Sequence, residues 1–412
     1  MSMRIICIGE PLAEIAQGAR GPALGFGGDT LNTAIYCARS AGNAAEVHYV
    51  TRLGEDMLSG EALNLIRAEG IGTDFITRDA TCNIGIYAIQ TDDAGERSFH
   101  YWRDTSAARG LFDSDQGPEH DAIASADLIY LSGITLAVLW PEGRERLIAA
   151  LKTARAKGTT IAFDSNYRPN LWADVEEARA ITTQLWSLTD IALPTIEDEE
   201  ALFGPIDATV LRDRLRGQGA TQGAIKQGSL GPVPLGSALT CGPFDAAKTV
   251  VDTTGAGDSF NGAYLAAIAA GQPEAGALTE AHTLAAQVVG YPGAVLPRAP
   301  AKQPLRLGSV IRLKPEHYAE YIRLHADVWP GVLARLKASN ITNYSIFLKR
   351  PENLMFGYFE YTGHDFAADD AAIAADPTTQ DWWKVCGPMQ DPFDTRADGE
   401  WWASMEQVFF ME

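Results

Sequence analysis

The sequence has few cysteines, and their placement gives no framework for disulfides or metals. None of the five belongs to a CxxC pair, and an odd number argues against a fully paired set. They are Cys7, Cys37, Cys82, Cys241 and Cys386. We therefore expect reduced thiols, as in proteins of the cytosol.

Long apolar runs and an excess of positive charge are also missing. No stretch approaches the length of a membrane span, and the apolar run at 5–8 lacks the basic start and cleavage site of a signal peptide. The chain carries 33 Lys and Arg against 53 Asp and Glu, a formal net charge of −20. Because this charge repels phosphate groups, we expect no nucleic-acid partner, and local cations at any nucleotide site. The lack of a long apolar run predicts no membrane partner, and the cysteine pattern predicts a cytoplasmic location.

The sequence does have the composition of a globular protein and the length of two domains. It has 412 residues, of which 46% are hydrophobic and 21% charged. Strand-like segments at 4–9, 47–51, 127–132, 159–164 and 190–194 alternate with helical patterns such as 30–41 and 59–69. This rhythm predicts an α/β fold with a mostly parallel sheet and helices on both faces. Segments 84–91 and 97–103 flank the polar turn 92–96 and predict a hairpin, a candidate lid or dimer contact.

The pattern changes after a proline-bearing stretch at 296–306, which reads as an extended linker. Strands are predicted at 307–313, 343–349, 354–361 and 405–411, and helices at 315–339 and 366–375. These elements indicate a small α+β domain. We therefore divide the chain into residues 1–298, a linker at 299–305, and residues 306–412.

A glycine-rich segment, DTTGAGDSF at 252–260, follows a predicted strand at 249–251 and opens a predicted helix at 260–270. Gly255 and Gly257 allow backbone N–H groups to approach an anion at a helix N-terminus. Asp258 lies in the same turn and could take a proton from a hydroxyl that attacks a bound phosphate. The alternative is that Asp258 simply caps the helix.

A second glycine-rich turn, GFGGDTLNT at 25–33, also leads into a helix. Gly27 and Gly28 permit close approach of the backbone to a sugar, and Asp29 and Asn32 offer groups that bind hydroxyls. Alternatively, Asp29 or Thr30 serves only as the helix cap.

In this order the two motifs resemble those of the ribokinase-like (PfkB) carbohydrate kinases. The match spans about 4–298 and includes RLGED at 52–56, SGI at 132–134 and KQG at 226–228. The resemblance implies a ribokinase-like sheet with a β lid, and ATP with Mg²⁺ as cofactors. It leaves room for a monovalent cation near Asp252 and Thr254, and no protein ligand to a metal is assigned.

The same resemblance implies site residues. It implies an anion hole at the backbone of Gly255, Ala256 and Gly257, with Asp258 as base. Groups near ATP are implied at Asn166, Arg168, Lys226, Gly228 and Gly231. The segment 230–248 is shorter than the family pattern, and Gln227 replaces a more common basic or Asn residue, so the nucleotide preference stays open.

Within that family the chain is similar to the 2-keto-3-deoxygluconate kinases. The similarity rests on GEP at 9–11, GFGGDTLN at 25–32, FHYWR at 99–103 and DSNYRP at 164–169. A sugar acid needs cations in its pocket, and Arg103 and Arg168 are the candidates, with Tyr87 and Tyr101 as walls. Alternatively, the two arginines form surface ion pairs and the two tyrosines are aromatic residues of the core. The alternative substrates are fructose and a keto-deoxy acid derived from L-rhamnose or L-fucose.

Residues 306–412 resemble L-rhamnose mutarotase. The matching segments are EYIRLH at 320–325, VWP at 328–330, NYSIF at 343–347, DWWK at 381–384 and EQVFF at 406–410. The resemblance implies a ferredoxin-like domain of the dimeric α/β-barrel type that acts on a 6-deoxy aldose.

Mutarotation needs an acid and a base, and Tyr321 and His325, four residues apart, share one helix face. Tyr344, Trp382 and Trp383 are candidates to complete the sugar site. The alternative is an amphipathic core in a non-catalytic dimerisation module, and in either case we expect a homo-oligomer.

Overall fold

The computed structural model describes residues 2–18, 21–91, 97–236, 241–298, 304–363 and 365–411. The chain divides between Leu296 and Pro297 into two compact units. The predicted hairpin turn at 92–96 and most of the predicted linker at 299–305 lie outside the described residues. Over the part of the chain that is described, no helix has the length and apolarity to cross a membrane.

Twelve strands form the sheets of the first unit as far as its residues are described. In chain order they are β1 (Met3–Ile8), β2 (Leu12–Gly18), β3 (Gly21–Gly27), β4 (Ala45–Gly54), β5 (Ile76–Asp79), β6 (Gly85–Thr91), β7 (Arg97–Trp102), β8 (Leu128–Ser132), β9 (Thr160–Asp164), β10 (Ile191–Ala192), β11 (Gln222–Ile225) and β12 (Val233–Pro234).

The main sheet has eight strands in the order β12-β11-β10-β9-β8-β1-β4-β5. Every pairing in it is parallel except that between β11 and β12. Its central strands are apolar and buried on both faces, as a parallel sheet covered on both sides requires. In parallel sheets the carboxyl ends of the strands share one edge, where ligand sites form.

Over the described residues of this unit, ten α-helices accompany these strands. They are α1 (Asp29–Ala41), α2 (Met57–Ala68), α3 (Pro118–Ser125), α4 (Gly133–Val138), α5 (Pro141–Ala156), α6 (Val175–Trp186), α7 (Ile196–Phe203), α8 (Ala208–Gln218), α9 (Ala256–Ala269) and α10 (Glu274–Val288). Two large apolar clusters cover the two faces of the sheet, one holding residues of α3 to α8 and the other residues of α1, α9 and α10. The prediction of an α/β fold with helices on both faces is confirmed.

A four-stranded sheet in the order β3-β2-β6-β7 forms the lid. The predicted hairpin is its β6–β7 half, and β2 joins β6 in parallel. The β2–β3 hairpin was not predicted, although β3 runs directly into the glycine-rich turn before α1.

The close approach of α1 and α9 depends on Gly262. A Cβ at this position would lie 2.6 Å from the carbonyl oxygen of Thr33 and 2.7 Å from Cβ of Tyr36. No side chain fits there without moving one helix. The two glycine-rich motifs, which precede α1 and α9, are therefore held against each other.

The second unit has one antiparallel sheet with helices. Its strands are β13 (Leu305–Leu313), β14 (Ile341–Lys349), β15 (Leu354–Tyr361), β16 (Gln390–Asp391) and β17 (Ala403–Met405), and its helices are α11 (Tyr318–Ala326), α12 (Pro330–Ala338), α13 (Phe366–Ala375) and α14 (Pro377–Cys386). The strand order is β14-β15-β13-β16, and β17 also pairs with β13. The prediction of a small α+β domain is confirmed.

Three of the predicted elements were wrong in detail. The helix predicted at 315–339 is interrupted before Pro330, which lacks the N–H that a continuous helix would use and instead starts α12. Residues 249–251 form no strand, and the last strand ends at Met405 instead of continuing to 411. In both segments apolar side chains, among them Val250 and Phe409, are exposed. The two strands were predicted because apolar residues were assumed to be buried there.

Candidate active site

The predicted anion hole lies at the N-terminus of α9. Its N-cap, Gly255, has φ of 76°, and a Cβ there would lie 2.4 Å from the carbonyl oxygen of Ala294. Glycine is therefore required for the turn that opens the helix. The first N–H groups of a helix have no partner within it and carry its positive dipole end. The predicted anion hole at Gly255, Ala256 and Gly257 thus coincides with a helix start, at which the N–H of Ala256 donates to the carbonyl oxygen of Thr253 at 3.3 Å.

Asp258 lies in the first turn of α9, because the helix begins four residues before the predicted start. Its Oδ2 accepts a hydrogen bond of 2.8 Å from Nδ2 of Asn32. Burial, and next the charge of Asp29, raise the pKa of Asp258 to about 7, while the Asn32 hydrogen bond and Lys226 oppose the rise. A carboxylate with a pKa near neutrality suits a general base.

The turn before α1 places Asp29 beside this base. Gly28 has φ of 134°, and a Cβ there would lie 2.4 Å from the carbonyl oxygen of Glu10, so only glycine fits. Nδ2 of Asn166 donates a hydrogen bond of 2.7 Å to Oδ2 of Asp29. Asn166, which was predicted to reach toward the nucleotide, thus contacts the first glycine-rich motif through its amide nitrogen.

A buried lysine supplies positive charge at the helix start. Nζ of Lys226 donates hydrogen bonds to Oδ2 of Asp164, at 2.6 Å, and to Oδ1 of Asn261, at 3.1 Å. It lies 3.4 Å from the position that a Cβ on Gly257 would occupy. Sequence reasoning missed Asn261, although it follows Asp258 by three positions and so lies on nearly the same helix face.

A cavity of about 470 Å³ opens beside this charge. Its lining includes Lys226, Gly228, Gly231, Gly257 and His282. Three residues predicted to border a nucleotide therefore line one cavity. Part of the segment predicted to be short, 237–240, lies outside the described residues.

Arg103 was predicted to be available for a substrate carboxylate, but it is already paired. Its Nη2 contacts Oε2 of Glu10, and both side chains are buried. Ser106 donates to the other oxygen of Glu10. Nε of Arg103 is buried without a hydrogen-bond partner among the described residues. Sequence reasoning missed Glu10 because the contact joins residues 93 positions apart.

Arg168 is more accessible than Arg103. Its side chain is 52% exposed, and Nη1 lies 3.0 Å from Oδ1 of Asp198. Burial raises the pKa of Asp198 to about 6, against the lowering effect of Arg168. The position of Arg168, just after the carboxyl end of β9, gives it a free face toward solvent.

Two tyrosines of the lid stack on each other. The ring centroids of Tyr87 and Tyr101 are 5.9 Å apart at an interplanar angle of 27°. Tyr87 is buried and its hydroxyl donates to Glu14, whereas Tyr101 is half-exposed. Tyr87 also lies beside the first motif, because its hydroxyl is 3.2 Å from where a Cβ on Gly27 would be.

In the region of the predicted monovalent cation, the carboxylate of Asp252 accepts hydrogen bonds from Thr254 and Gly293. Oγ1 of Thr254 donates to Oδ1 of Asp252 at 2.7 Å, and the N–H of Gly293 donates to Oδ2 at 2.6 Å. Across the described ranges, no group of three His, Cys, Asp or Glu side chains is arranged to hold a metal ion.

The second unit brings most of its predicted site residues together. The rings of Tyr321 and His325 stack at 4.0 Å, and His325 meets Trp382 edge-on at 5.3 Å. Trp329, which was not singled out from the sequence, contacts Trp382 at 5.3 Å. Burial lowers the pKa of His325, against the raising effect of its hydrogen bond with the backbone of Tyr321, and so favours the neutral imidazole.

The remaining two predicted residues differ in placement. Tyr344 is half-exposed on β14, and its ring centroid lies 5.4 Å from that of Phe359. Trp383 is half-exposed and lies about 100° around α14 from the buried Trp382. Trp383 is therefore not part of the aromatic cluster.

Comparisons with known proteins give a family for each of the two units. The pfkB family carbohydrate kinase model matches residues 5–302, and the L-rhamnose mutarotase model matches residues 306–411. The 2-dehydro-3-deoxygluconokinase of Escherichia coli (strain K12) is 40% identical over 304 residues, covering 72% of this chain and 98% of that protein.

Two solved structures share the fold of the first unit. A PfkB protein from Polaromonas sp. JS666 matches with a TM-score of 0.62 at 25% identity, covering 71% of this chain and 98% of that chain. A putative ribokinase II from E. coli, solved in complex with ATP and Mg²⁺, matches with a TM-score of 0.60 at 21% identity, covering 71% and 94%. The chain therefore belongs to the pfkB family of carbohydrate kinases and carries, after that domain, a domain of the L-rhamnose mutarotase family.

Proposed function

We propose that the first unit transfers the γ-phosphoryl group of ATP to 2-keto-3-deoxygluconate, also called 2-dehydro-3-deoxygluconate. The observation that carries the proposal is the juxtaposition of Asp258, held by Asn32, with the N-terminus of α9 and the buried Lys226. A base and an anion site one helical turn apart are what phosphoryl transfer to a hydroxyl requires.

Each residue has a distinct task in this proposal. Asp258 takes the proton from the attacking hydroxyl, while Asp29 and Asn32 hold the sugar's other hydroxyls. The N–H groups at the start of α9 and the charge of Lys226 stabilise phosphate oxygens. Mg²⁺ supplies further positive charge when bound with the nucleotide, and because it keeps mostly phosphate and water ligands, it needs no cage of side chains.

Recognition of the acid falls mainly to Arg168. Its guanidinium is half-exposed and only partly occupied by Asp198, so it can pair with a carboxylate from solution. The Glu10–Arg103 pair is buried and neutral overall, which suits it to shaping the pocket under the lid. The 40% identity to 2-dehydro-3-deoxygluconokinase supports the same choice of substrate.

A coupled assay of ADP release with a panel of acceptors tests the substrate. The panel comprises 2-keto-3-deoxygluconate, its 6-deoxy analogue, fructose and ribose. We expect the highest kcat/KM for the first and no turnover of the 6-deoxy analogue, which lacks the 6-hydroxyl. A neutral hexose that outperforms both acids would contradict the proposal.

For the second unit we propose an aldose mutarotase that acts on a 6-deoxy hexose such as L-rhamnose. Stacked Tyr321 and His325 supply two groups able to move protons, next to the aromatic surface of Trp382 and Trp329. Sugar C–H groups pack on such surfaces. Exchange NMR of the full chain with L-rhamnose and L-fucose measures whether anomer interconversion is accelerated.

The alternative for this unit, a non-catalytic dimerisation module, also has an observation in its favour. Large apolar side chains are exposed on β14 and near the chain end, including Phe347 at 62% and Phe409 at 78%. Patches of this kind often mark protein interfaces. Failure to accelerate exchange with either sugar would favour this alternative.

A further inference from the structure

The hydroxyl that the first unit is proposed to phosphorylate is absent from one ring form of its proposed substrate. 2-Keto-3-deoxygluconate has a carboxylate at C1, a ketone at C2 and hydroxyls at C4, C5 and C6. Attack of the 5-hydroxyl on the ketone gives a furanose, and attack of the 6-hydroxyl gives a pyranose. In the pyranose, O6 is the ring oxygen and carries no proton for Asp258 to take. The pyranose must therefore open before it can be phosphorylated.

Opening of this pyranose is the kind of reaction proposed for the second unit. The bond between C2 and O6 breaks, the hydroxyl on C2 loses a proton and O6 gains one, so the product has a ketone and a free 6-hydroxyl. Protons and electrons balance without a co-reactant. Aldose mutarotation begins with the same step at C1 of an aldose. The stacked rings of Tyr321 and His325, beside Trp382, provide groups that move protons.

The acid differs from a 6-deoxy hexose at the carbon where the ring opens. Its carboxylate is bonded to C2, whereas the anomeric carbon of L-rhamnose bears a hydrogen. A site that opens the acid therefore needs a cation next to the groups that move protons. An arginine meets this need well, because its guanidinium can bind a carboxylate through two parallel hydrogen bonds.

Arg350 places a guanidinium at one end of the proposed sugar site. Its Cζ lies 4.6 Å from the ring centroid of Tyr318. Tyr318, Tyr321 and His325 are spaced by three and four residues, so they follow one face of α11. Tyr318 also packs against the apolar cluster that holds Tyr321 and Trp382. Arg350 is therefore about one helical turn, or about 5 Å along the axis, from the level of Tyr321.

The guanidinium of Arg350 is available to a ligand. Its side chain is exposed, and no ion pair is recorded for it within the described residues. Two other exposed cations nearby in the sequence are already occupied. Lys349 pairs with Glu352 at 2.5 Å, and Arg323 on α11 pairs with Glu320 at 2.7 Å.

Lys314 adds a second positive charge at the same end of α11. Its Nζ donates a hydrogen bond of 2.7 Å to the backbone carbonyl oxygen of Pro388, and no carboxylate partner is recorded for it in the part of the chain that is described. Pro388 precedes Gln390 by two residues, and Nε2 of Gln390 donates to the Tyr321 hydroxyl at 3.1 Å. Lys314 thus approaches the Tyr321 hydroxyl through β16, from a different element than Arg350.

We propose that the second unit opens the pyranose form of 2-keto-3-deoxygluconate, with Arg350 and Lys314 binding its carboxylate. This rests on the functions proposed above for the two units, and it adds a 2-keto sugar acid to the substrates of the second. The reaction supplies the first unit with sugar whose 6-hydroxyl is free. It gives the two units a shared substrate, which a 6-deoxy sugar is not, because a 6-deoxy sugar lacks the hydroxyl that is phosphorylated.

The measurement is exchange between the ring forms of 2-keto-3-deoxygluconate, followed by carbon NMR at C2 with the full chain and without ATP. The C2 carbon has a different chemical shift in each form, and without ATP the first unit cannot consume the sugar. We expect the chain to accelerate loss of the pyranose on the order of 10²-fold over the sugar alone. His325→Ala should abolish the acceleration. An exchange rate that is the same with and without the chain, or the same in His325→Ala as in wild type, overturns the proposal.

An exposed variant guards against misfolding of the first. We expect Arg350→Ala to lower the exchange rate of the acid about tenfold more than that of L-rhamnose, because only the acid carries a carboxylate. The matched control is Arg323→Ala, which removes an exposed guanidinium of the same unit that is already paired, and it should leave the rate for the acid unchanged. If Arg350→Ala behaved like Arg323→Ala, the carboxylate site, and with it the proposal, would be overturned.

Parallel measurements separate this proposal from the functions beneath it. Exchange of L-rhamnose without exchange of the acid overturns the proposal and leaves the mutarotase function intact. Exchange of the acid alone supports the proposal and removes the 6-deoxy hexose as a substrate. If neither sugar is exchanged, both ideas fail. ADP release tests the first unit independently, and an acid that is exchanged but not phosphorylated overturns the proposed supply of the kinase.

Discussion

At the scale of single residues, Asp258 is the group on which turnover depends. We expect Asp258→Asn to fold and to bind nucleotide while losing on the order of 10²–10⁴-fold in kcat, the usual contribution of a general base. The amide oxygen still accepts from Asn32, so the local geometry survives. Nucleotide titration and ADP release test this, with Asp213→Asn, an exposed carboxylate on α8, as control. Full activity of Asp258→Asn would remove it from the mechanism.

The raised pKa of Asp258 predicts a pH dependence. A base must be ionised, so kcat should rise with pH through about 7, where the Asp258 pKa lies because of burial and the charge of Asp29. The Asp29→Asn substitution removes the negative charge beside Asp258 and so lowers the pKa of Asp258. The acid limb of the kcat profile should therefore move to lower pH, independently of any change in KM. If the acid limb of the kcat profile lay at the same pH in wild type and Asp29→Asn, a group other than Asp258 would be responsible for it.

The two arginines should respond differently to truncation. Arg168→Ala removes a half-exposed charge, so we expect KM for the sugar acid to rise about tenfold with little change in stability. Arg103→Ala leaves the carboxylate of Glu10 buried and unpaired, so we expect a loss of about 3–5 kcal/mol in the free energy of unfolding. Steady-state kinetics and denaturant titration of both variants make the comparison, and equal effects on stability would contradict it.

Asp258 and Asn32 could be identified from the sequence because each belongs to a contiguous motif that is typical of a helix N-terminus. It could not identify the partners of Arg103 or Tyr321. Glu10 meets Arg103 only through the register of two separate sheets, and Gln390 meets Tyr321 across 69 positions. Pairings of this kind depend on tertiary packing, which no local pattern encodes.

At the scale of elements, the contact between α1 and α9 sets the distance from Asn32 to Asp258. We expect Gly262→Ala to cost about 1–3 kcal/mol in unfolding free energy and to lower kcat, because its Cβ would overlap Thr33 and Tyr36.

Gly276→Ala on α10 is the matched control for that contact. Its Cβ would meet only a side-chain oxygen of Gln272 at 3.5 Å, so it should stabilise by about 0.5–1 kcal/mol through helix propensity. Thermal and chemical denaturation measure both. If Gly262→Ala and Gly276→Ala changed the free energy of unfolding by the same amount, the packing of α1 against α9 would not depend on glycine at position 262.

The elements that sequence predicted well are those with buried apolar runs between turn signals, such as β1, β8 and β9. The β2–β3 hairpin was missed because its strands belong to a lid that is partly exposed on both faces, so apolar alternation is weak. The division between α11 and α12 was missed because their apolar faces continue through Pro330.

At the scale of the whole molecule, each unit has its own core. The apolar clusters of α1 to α10 belong to the first, and a cluster that includes Ile311, Tyr321, Met355 and Trp382 belongs to the second. We therefore expect residues 1–298 to keep kinase activity and residues 305–412 to fold alone. Separate expression with circular dichroism and activity assays tests this, and insolubility of both fragments would contradict it.

The most direct test of the central claim is the identity of the product that the full chain makes from ATP and 2-keto-3-deoxygluconate. Besides the resonances of the released ADP, phosphorus NMR of the reaction should show a new phosphate monoester signal coupled to the two protons of C6. That result would mean that the hydroxyl facing Asp258 is the terminal one of a sugar acid. The absence of a phosphorylated acid, or coupling to a ring CH proton in place of the C6 methylene, would contradict the account.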